Sequence, residues 1–374
     1  APGASAYLTY RTDNVAEFRA TSLLSLVQTN SSILTELSSK ADQGAVYVTN
    51  LLALSDALRE EFTPGTTQAP AAAKFLLVSD IHGMNQYPLM RQIVASEGID
   101  AVIALAALSN DALGDLRPQL TYDINHLATV NLAESAKQAG VGRFLFSSSC
   151  SLYGAAGDEH LTEEATFNPL TPYGESKIKV EQDLAQLADE AFSPVYLRNA
   201  TAYGVSPSLR ADLMVNNLVG YAITTGKVLI KSDGMPWRPL IHIEDISRAF
   251  LAALEAPREA VHDRAFNVGV TAENYRVKEV ADIVAQVVPG SVVEYAPGAS
   301  PDARNYRVDF SRIADELPAF TANWTVPTGI EELYRAYRDH GLSAEEFTSA
   351  RYLRIRTVLN HQEAGRLDEE LRWR

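Results

Sequence analysis

The fold of this chain is decided by residues 143–154, which read RFLFSSSCSLYG. The mostly apolar opening is typical of a buried strand, and the serine cluster that follows is typical of a polar loop at its end. Further on, residues 171–177 read TPYGESK, and their proline opens a helix-like segment that extends to Ala188. A strand, a loop and a helix in this order predict one step of an α/β fold.

Other apolar runs alternate with helical patterns along the chain. The sequence predicts strands at residues 75–79, 101–107, 143–149, 195–198, 228–231 and 265–268. With 374 residues, 46% of them hydrophobic, the chain can bury a full core and has room for more than one domain. The fold class is therefore predicted to be α/β with a parallel sheet.

Tyr173 and Lys177 lie four residues apart and would share one face of the predicted helix. An ammonium beside a phenol favours the ionised phenol, and a serine at a strand end, such as Ser149, can orient a substrate oxygen. These three side chains predict a proton-transfer site. A tyrosine and a lysine at this spacing are also common on ordinary surface helices, so the neighbouring motifs have to decide.

Several segments follow one another in the order of a known family. From about Ala101 to about Arg335 the chain resembles the extended short-chain dehydrogenases/reductases, the NAD-dependent sugar-nucleotide epimerases and dehydratases. Besides residues 143–154 and 171–177, the resemblance is carried by AVIALAA (101–107), YDIN (122–125), NLAE (131–134), LRNATAYG (197–204), WRPLIHIED (237–245) and FNVG (266–269). It implies a Rossmann-like doubly wound sheet with a smaller C-terminal substrate lobe.

The resemblance also implies roles for single residues. Tyr173 would be the catalytic acid or base, Ser149 would hydrogen-bond the reacting oxygen, and Lys177 would hold the nicotinamide ribose and lower the pKa of the tyrosine. Asn125 would support the active site. The cofactor would also lie against Tyr173, Ala106, Ala107 and Ser147, and the substrate against Thr201, Arg238 and Arg304, with both arginines facing phosphate.

The implied activity is that of an NAD(P)-dependent oxidoreductase or epimerase acting on a nucleotide sugar, with NAD or NADP as cofactor. The loop at residues 162–165 reads TEEA, and no acid pair follows the serine cluster as in dehydratases, which favours an epimerase or a reductase. The resemblance further implies a homodimer formed through the helices that carry Asn125 and Tyr173.

The first hundred residues depart from this family. A glycine fingerprint lets the backbone approach the cofactor pyrophosphate at a helix N-terminus. Here the glycines are Gly3, Gly44, Gly65, Gly83 and Gly98, which do not have that spacing. We therefore expect a sheet truncated in its N-terminal half and weak cofactor binding, so that an impaired enzyme or a non-catalytic scaffold stays open beside an active enzyme.

Residues 74–85, which read KFLLVSDIHGMN, resemble instead the opening of calcineurin-like metallophosphoesterases. In that reading Asp80 and His82 would bind a divalent metal and the chain would be a metal-dependent phosphoesterase. The other ligand motifs of that family are absent from the sequence, and a structural role, in which Asp80 caps the following helix, is favoured over metal binding. The two resemblances meet near Ile103, which suggests a fusion or chimera.

These observations divide the chain into five parts. Residues 1–63 are predicted to be a helical segment, 64–73 a linker, 74–202 the Rossmann-like core, 203–340 the substrate lobe with the last core strands, and 341–374 a helical tail. Within the core, residues 74–103 are phosphoesterase-like and 104–202 dehydrogenase-like. Residues 75–79 and 101–107, joined by a helix at 88–96, should lie side by side in a βαβ unit.

Charge and hydropathy exclude some partners. A net charge of −15 disfavours nucleic acid and anionic membranes. No apolar run approaches the roughly twenty residues that cross a bilayer, and the start lacks the pattern of a signal peptide, so the cytoplasm is expected. Cys150 is the only cysteine, and packing beneath the strand is a better prediction for it than nucleophilic catalysis.

Overall fold

The structure, a computed structural model, describes residues 99–374 except 110, 207, 208, 301, 370, 372 and 373, together with the backbone of two strands nearer the start. The strands are β1 Ala6–Thr9, β2 Lys74–Val78, β3 Ala101–Ala104, β4 Arg143–Ser149, β5 Ala155–Leu161, β6 Ser193–Asn199, β7 Thr201–Tyr203, β8 Lys227–Ser232, β9 Trp237–His242, β10 Arg264–Val268, β11 Asn274–Arg276, β12 Val292–Ser300 and β13 Asn305–Val308.

The helices are α1 Asp111–Leu116, α2 Pro118–Thr121, α3 Ala128–Gln138, α4 Pro172–Leu187, α5 Met214–Thr225, α6 Ile243–Glu255, α7 Arg258–Val261, α8 Val277–Val287, α9 Ser311–Glu316, α10 Val326–His340, α11 Ala344–Phe347 and α12 Arg354–Glu363. A π-helical stretch, Tyr122–Leu127, joins α2 to α3, and short 3₁₀ turns occur at Cys150–Tyr153 and Thr271–Glu273.

The main sheet has six strands in the order β1-β2-β3-β4-β6-β10. Strands β2, β3, β4, β6 and β10 are parallel, and β1 is antiparallel to β2. Parallel strands with helices between them confirm the predicted α/β class. The predicted neighbours near residues 75 and 101 do pair, with Phe75 opposite Ala101, whereas the helix expected at 88–96 lies outside the described residues.

The first strand corrects one prediction. A helical segment was expected over residues 1–63, but Ala6–Thr9 form β1 on the outer edge of β2. The physical reason is that an edge strand offers unpaired backbone groups, which a short run containing tyrosine and threonine can satisfy. The rest of that segment and the linker at 64–73 lie outside the described residues.

Alternating side chains on β4 place the core on both faces of the sheet. Phe144 and Phe146 pack on one face with residues of α3 and α4, and Leu145 packs on the other with residues of α6. All three are buried, as the period of two along a strand requires for a strand covered on both sides. The strand predicted at 143–149 is therefore confirmed, and its carboxyl end opens into the serine cluster.

A second body of structure lies beyond β6. Strands β8 and β12 pair in parallel, and helices α5, α8 and α10 pack against them around a separate hydrophobic cluster. Two small sheets, β11-β9-β7 and β13-β5, connect this lobe to the main sheet. This second body falls largely within residues 203–340, the range in which a substrate lobe was expected, and its role in binding a substrate remains a prediction. The short strands β5, β7, β9, β11 and β13 were not anticipated from the sequence.

The tail after α10 crosses from the lobe back to the core. Its Phe347 is buried against Tyr221 and Tyr337 in the lobe. Farther along, Arg354 donates a hydrogen bond of 3.0 Å to the hydroxyl of Ser109, in the loop after β3. Glu369 forms an ion pair of 2.7 Å with Arg117, which lies between α1 and α2. The predicted helical tail thus contains two helices with turns around them.

We predict that Gly220→Ala destabilises the protein by about 1–3 kcal/mol, because overpacking a filled core forces side chains out of their preferred positions. A methyl group at Gly220 would lie 2.2 Å from ring atoms of the buried Phe347. Urea unfolding should show the loss. Gly142→Ala is the matched control, since a methyl group there meets no atom within 4 Å. Equal stability of the two variants would contradict this packing.

Candidate active site

The first two turns of α4 present Tyr173 and Lys177, one helical turn apart. Thr171 caps the helix by accepting a hydrogen bond of 3.2 Å from the Gly174 amide, and Pro172 occupies the first turn, where its missing N–H costs nothing. Tyr173 is half-buried and Lys177 is only 2% exposed. The Lys177 ammonium lies 5.6 Å from the centre of the Tyr173 ring, so the two side chains share one face of the helix as predicted.

The ammonium of Lys177 is held by the end of β4. Its Nζ donates a hydrogen bond of 2.6 Å to the carbonyl oxygen of Ser147, and it lies 4.6 Å from the centre of the Phe146 ring. Burial lowers the pKa of Lys177 from 10.5 to about 7, and the nearby carboxylate of Glu181 opposes this shift. The lysine can therefore gain or lose a proton close to neutral pH.

Ser149 lies at the carboxyl end of β4 and caps the 3₁₀ turn that follows. Its hydroxyl accepts a hydrogen bond of 3.2 Å from the Ser151 amide and is partly exposed. The turn packs closely on α4, since a methyl group at Gly174 would lie 3.1 Å from the Ser151 carbonyl oxygen. The structure thus brings the strand end that carries Ser149 against the helix turn that carries Tyr173 and Lys177.

Asn125 connects the loop after β3 to the first turn of α4 through hydrogen bonds. It is buried in the π-helical stretch, and its amide oxygen accepts a hydrogen bond of 2.7 Å from the Leu108 amide in the loop after β3. Its amide nitrogen donates 3.2 Å to the hydroxyl of Ser176, which in turn donates 2.7 Å to the Tyr173 carbonyl. A widened helical turn is frequent at functional sites, and here it lets one asparagine support both the loop and the tyrosine.

The loop after β3 carries the two predicted cofactor contacts. The strand ends at Ala104, three residues earlier than expected, so Ala106 and Ala107 belong to the loop, the first buried and the second half-buried. Ser147 bonds protein groups at both of its oxygens: its carbonyl accepts from Lys177, and its hydroxyl accepts 3.1 Å from the Asn199 side chain.

Two of the predicted substrate residues, Thr201 and Arg238, lie on the small sheet β11-β9-β7, and Arg304 lies in the loop just before β13. Thr201 begins β7 two residues after Asn199, and it pairs with Leu240 of β9, two residues from Arg238. Arg238 donates 2.8 Å to a carboxylate oxygen of Asp302, and Arg304 donates 2.7 Å to the same oxygen. One carboxylate therefore joins the two arginines.

The charge of Asp302 is stabilised by that arrangement. Burial would raise the pKa of Asp302, but the hydrogen bond from Arg304 and the charges of Arg238 and Arg304 together lower it. The side chain of Arg238 is 10% exposed and that of Arg304 is 43% exposed. An anionic ligand that approached these guanidinium groups would compete with Asp302 for them. The ion pair between Arg304 and Asp302, two residues apart, is the ordinary alternative to a phosphate site that the sequence already offered for Arg304.

Cys150 is a packing residue in the structure, as the sequence analysis preferred. Its thiol is 1% exposed and donates 3.1 Å to the Arg198 carbonyl. Burial raises its pKa, so that the thiol stays protonated at neutral pH. A buried neutral thiol is a poor nucleophile.

The predicted metal ligands, Asp80 and His82, lie outside the described residues, as do the other residues from 79 to 98. In the part of the chain that the structure does describe, no group of three or more histidine, cysteine, aspartate or glutamate side chains is arranged to hold a metal ion. Among the helices of the same part, none combines the length and the apolar character needed to span a bilayer.

Comparison with known proteins identifies the family. The profile of the NAD dependent epimerase/dehydratase family matches residues 65–269, which is more than half of the chain. The chain belongs to this family. The matched range includes residues 74–103, which the sequence analysis compared with phosphoesterases, and a fusion near Ile103 remains a prediction.

Particular relatives agree with this assignment. The chain is 29% identical over 262 residues to a UDP-glucose 4-epimerase of Bacillus subtilis, covering 64% of this chain and 75% of the relative. Its fold is similar to that of a UDP-glucose 4-epimerase of Thermotoga maritima solved with UDP-glucose, with a TM-score of 0.61, 23% identity and coverage of 68% and 82%. It is also similar to MoeE5 solved with UDP-glucuronic acid and NAD, with a TM-score of 0.58, 28% identity and coverage of 70% and 84%. These relatives give no support to a phosphoesterase or to an impaired enzyme.

We predict that Lys177→Met raises stability relative to the parent protein at low pH, and less so at high pH. The lowered pKa of Lys177 means that the folded state binds fewer protons than the unfolded chain between about 7 and 10.5. Burial of the charge therefore costs most below pH 7, on the order of a few kcal/mol, and this cost falls as the pH rises. Urea unfolding at about pH 6 and about pH 9 measures the difference.

Lys179→Met is the control, because Lys179 lies on the same helix with a side chain that is 42% exposed. Its effect on the free energy of unfolding should be small at both pH values. A stability difference for Lys177→Met that does not change with pH would contradict the lowered pKa.

Proposed function

We propose that this protein is an NAD-dependent enzyme that acts on a nucleotide sugar, and that Tyr173 is its catalytic acid and base. The observation that carries the proposal is the convergence of Tyr173, Lys177 and Ser149 at the carboxyl end of β4. In open α/β sheets, ligands bind at this end of the strands. Family membership supports NAD as the cofactor, and the UDP-glucose 4-epimerases among the relatives support a nucleotide sugar as the substrate.

The residues present fit the nicotinamide end of the cofactor. A lysine ammonium has three N–H donors, and the bond to the Ser147 carbonyl uses one of them, which suits Lys177 to hold the hydroxyls of a ribose. Ala106 and Ala107 leave room for a ring close to the loop after β3. When bound, NAD accepts a hydride from a sugar carbon and can return it.

The chain itself moves the proton. Ser149 donates a hydrogen bond to the sugar oxygen that reacts, and the ionised Tyr173 takes the proton of that hydroxyl as the C–H bond gives up its hydride. The positive charge of Lys177 favours the ionised phenol. On return of the hydride to the resulting carbonyl carbon, Tyr173 gives the proton back to the oxygen, so that protons and electrons balance.

Epimerisation is the reaction that we favour. The serine cluster continues as Cys150 and Ser151, neither of which is an acid, and Glu163 accepts a hydrogen bond of 2.8 Å from the Asn267 amide. Glu164 forms an ion pair with Arg312. A dehydratase needs a further acid and base beside the reacting sugar, and these carboxylates are already engaged. The UDP-glucose 4-epimerases among its relatives support the same choice.

Arg238, Arg304 and Thr201 are proposed to bind the nucleotide-sugar phosphates and the groups next to them. NAD is preferred to NADP as cofactor, because the family is NAD dependent and the similar MoeE5 was solved with NAD. The homodimer through the helices that carry Asn125 and Tyr173 remains a prediction, as does a cytoplasmic location.

The deciding experiment is a titration of the protein with NAD and NADP, followed by an assay of UDP-glucose and UDP-galactose interconversion. Tyr173→Phe should lower kcat by at least about 100-fold, since general acid–base catalysis contributes about that much or more. Tyr295→Phe, at an exposed tyrosine of β12, is the control and should retain activity. Turnover by Tyr173→Phe at the parental rate would refute the role of the tyrosine, and absence of NAD binding would refute the function.

A second prediction concerns the carboxylate between the two arginines. Asp302→Asn should bind UDP more tightly than the parent protein, by roughly 3- to 10-fold, because the diphosphate no longer competes with a carboxylate for Arg238 and Arg304. Calorimetry measures the affinity. Asp339→Asn removes an exposed charge on α10 and should leave it unchanged. Weaker binding by Asp302→Asn would contradict a phosphate site at these arginines.

A further inference from the structure

A buried ion pair lies one helical turn beyond Lys177. The guanidinium of Arg198 on β6 donates hydrogen bonds of 2.6 and 3.1 Å to the carboxylate of Glu181 on α4. The two side chains are 6% and 7% exposed. Burying two charges is unfavourable unless each has good partners, so a pair of this kind calls for an explanation beyond packing.

The same carboxylate holds the strand end that binds Lys177. Glu181 accepts a hydrogen bond of 2.5 Å from the hydroxyl of Ser148. The preceding residue, Ser147, supplies the carbonyl oxygen to which Lys177 donates. Two successive residues of β4 are therefore bonded to two residues one turn apart on α4. These two contacts hold the Lys177 ammonium and its acceptor, the Ser147 carbonyl, in a fixed position relative to each other.

Few charged or titratable groups face the Lys177 ammonium among the described residues. On its own helix these are Tyr173 and Glu181. Strand β4 faces it with the Ser147 carbonyl and the Phe146 ring. Strand β6 contributes Arg198, whose guanidinium pairs with Glu181 at 2.6 Å and opposes the effect of its negative charge on Lys177.

Beyond Arg198 the network continues away from the lysine. The guanidinium donates 3.2 Å to the Tyr153 hydroxyl and 2.8 Å to the Glu163 carbonyl. Tyr153 donates 2.7 Å to the side-chain oxygen of Asn267. Burial raises the pKa of Tyr153 and of Cys150, so both stay neutral. The other charged groups on this side are Glu163 and Arg312, which form an ion pair of 3.5 Å with each other.

We propose that Glu181 is a positioning residue for the Tyr173–Lys177 pair, which holds the strand end that binds Lys177 and, balanced by Arg198, sets the electrostatic environment of its ammonium. The inference rests on the proposed function, in which Lys177 supports Tyr173. If the pair served only to attach α4 to the sheet, its removal would cost stability without a directed effect on Lys177. The two roles therefore predict different titrations of the lysine.

The test is a pH titration of Lys177 in the protein without ligands, monitored by the NMR signals of ¹³C-labelled lysine. The Lys177 signal is the one that disappears in Lys177→Met. Glu181→Gln leaves a buried cation nearby and should lower the pKa of Lys177 by about one unit. Arg198→Met leaves a buried anion and should raise it by about one unit. Opposite shifts support the proposal, and unchanged titration in both variants overturns it.

A double variant that keeps the region neutral allows the pKa of Lys177 to be measured even if the single variants fail to fold. Replacing one member of a buried pair can be strongly destabilising, whereas replacing both is often tolerated. The double variant Glu181→Gln with Arg198→Met should titrate within a few tenths of a unit of the parent, because the net charge near Lys177 is the same. A shift in the double variant as large as in either single variant would overturn the electrostatic part.

Positioning is tested separately by Ser148→Ala, which keeps every charge and removes the hydroxyl that Glu181 holds. We expect the Lys177 titration to stay as in the parent while kcat falls by roughly 5- to 20-fold at unchanged KM. An unchanged kcat would overturn the positioning role. If the protein proves not to bind NAD or turn over a nucleotide sugar, the proposed function fails, and the NMR titration still decides the role of Glu181.

Discussion

The rest of the site depends on the burial of one ammonium group. Lys177 is enclosed between α4 and the end of β4, and its bond to the Ser147 carbonyl is the contact that makes this burial tolerable. To keep that bond, the helix must begin where it does, with Thr171 as its cap, and the strand must end at the serine cluster. Tyr173 and Ser149 then come together as a consequence.

Much of this could be predicted from sequence because buried parallel strands leave a strong pattern. The runs at 143–149 and 265–268 became β4 and β10 almost as expected, since short runs that contain Phe, Leu or Val and lead into polar residues are typical of strands buried in a parallel sheet. The pair Tyr173 and Lys177 was also visible, because its spacing corresponds to one helical turn. The supporting residues were harder to see. Asn125 works through a π-helical stretch, and Asp302 joins the neighbouring Arg304 to Arg238 on β9, sixty-four residues away in sequence; neither the widened turn nor the long-range contact appears in the local sequence.

In the first hundred residues, a short motif suggested a function that the match to the epimerase and dehydratase family does not support. Asp80 and His82 follow an apolar strand as in metallophosphoesterases, yet the family profile that matches this region is that of the epimerases and dehydratases. A strand followed by a polar turn is a requirement of many α/β folds, so a few residues of this kind specify little chemistry. The ordered series of segments from 101 onward was more informative, because each segment belongs to a different part of one site. The helical expectation for the start failed at β1, where pairing with an open sheet edge outweighed the local pattern.

The tail has a mechanical consequence for the lobes. Phe347 anchors it in the hydrophobic cluster of the substrate lobe, while Arg354 and Glu369 fasten it to the loop after β3 and to the start of α2. The last thirty or so residues thus join the substrate lobe to the loops at one end of the main sheet. Any movement of the lobe away from these loops would have to break the polar contacts at Ser109 and Arg117 before the buried ring of Phe347, because surface ion pairs and hydrogen bonds cost less to break than a packed aromatic side chain.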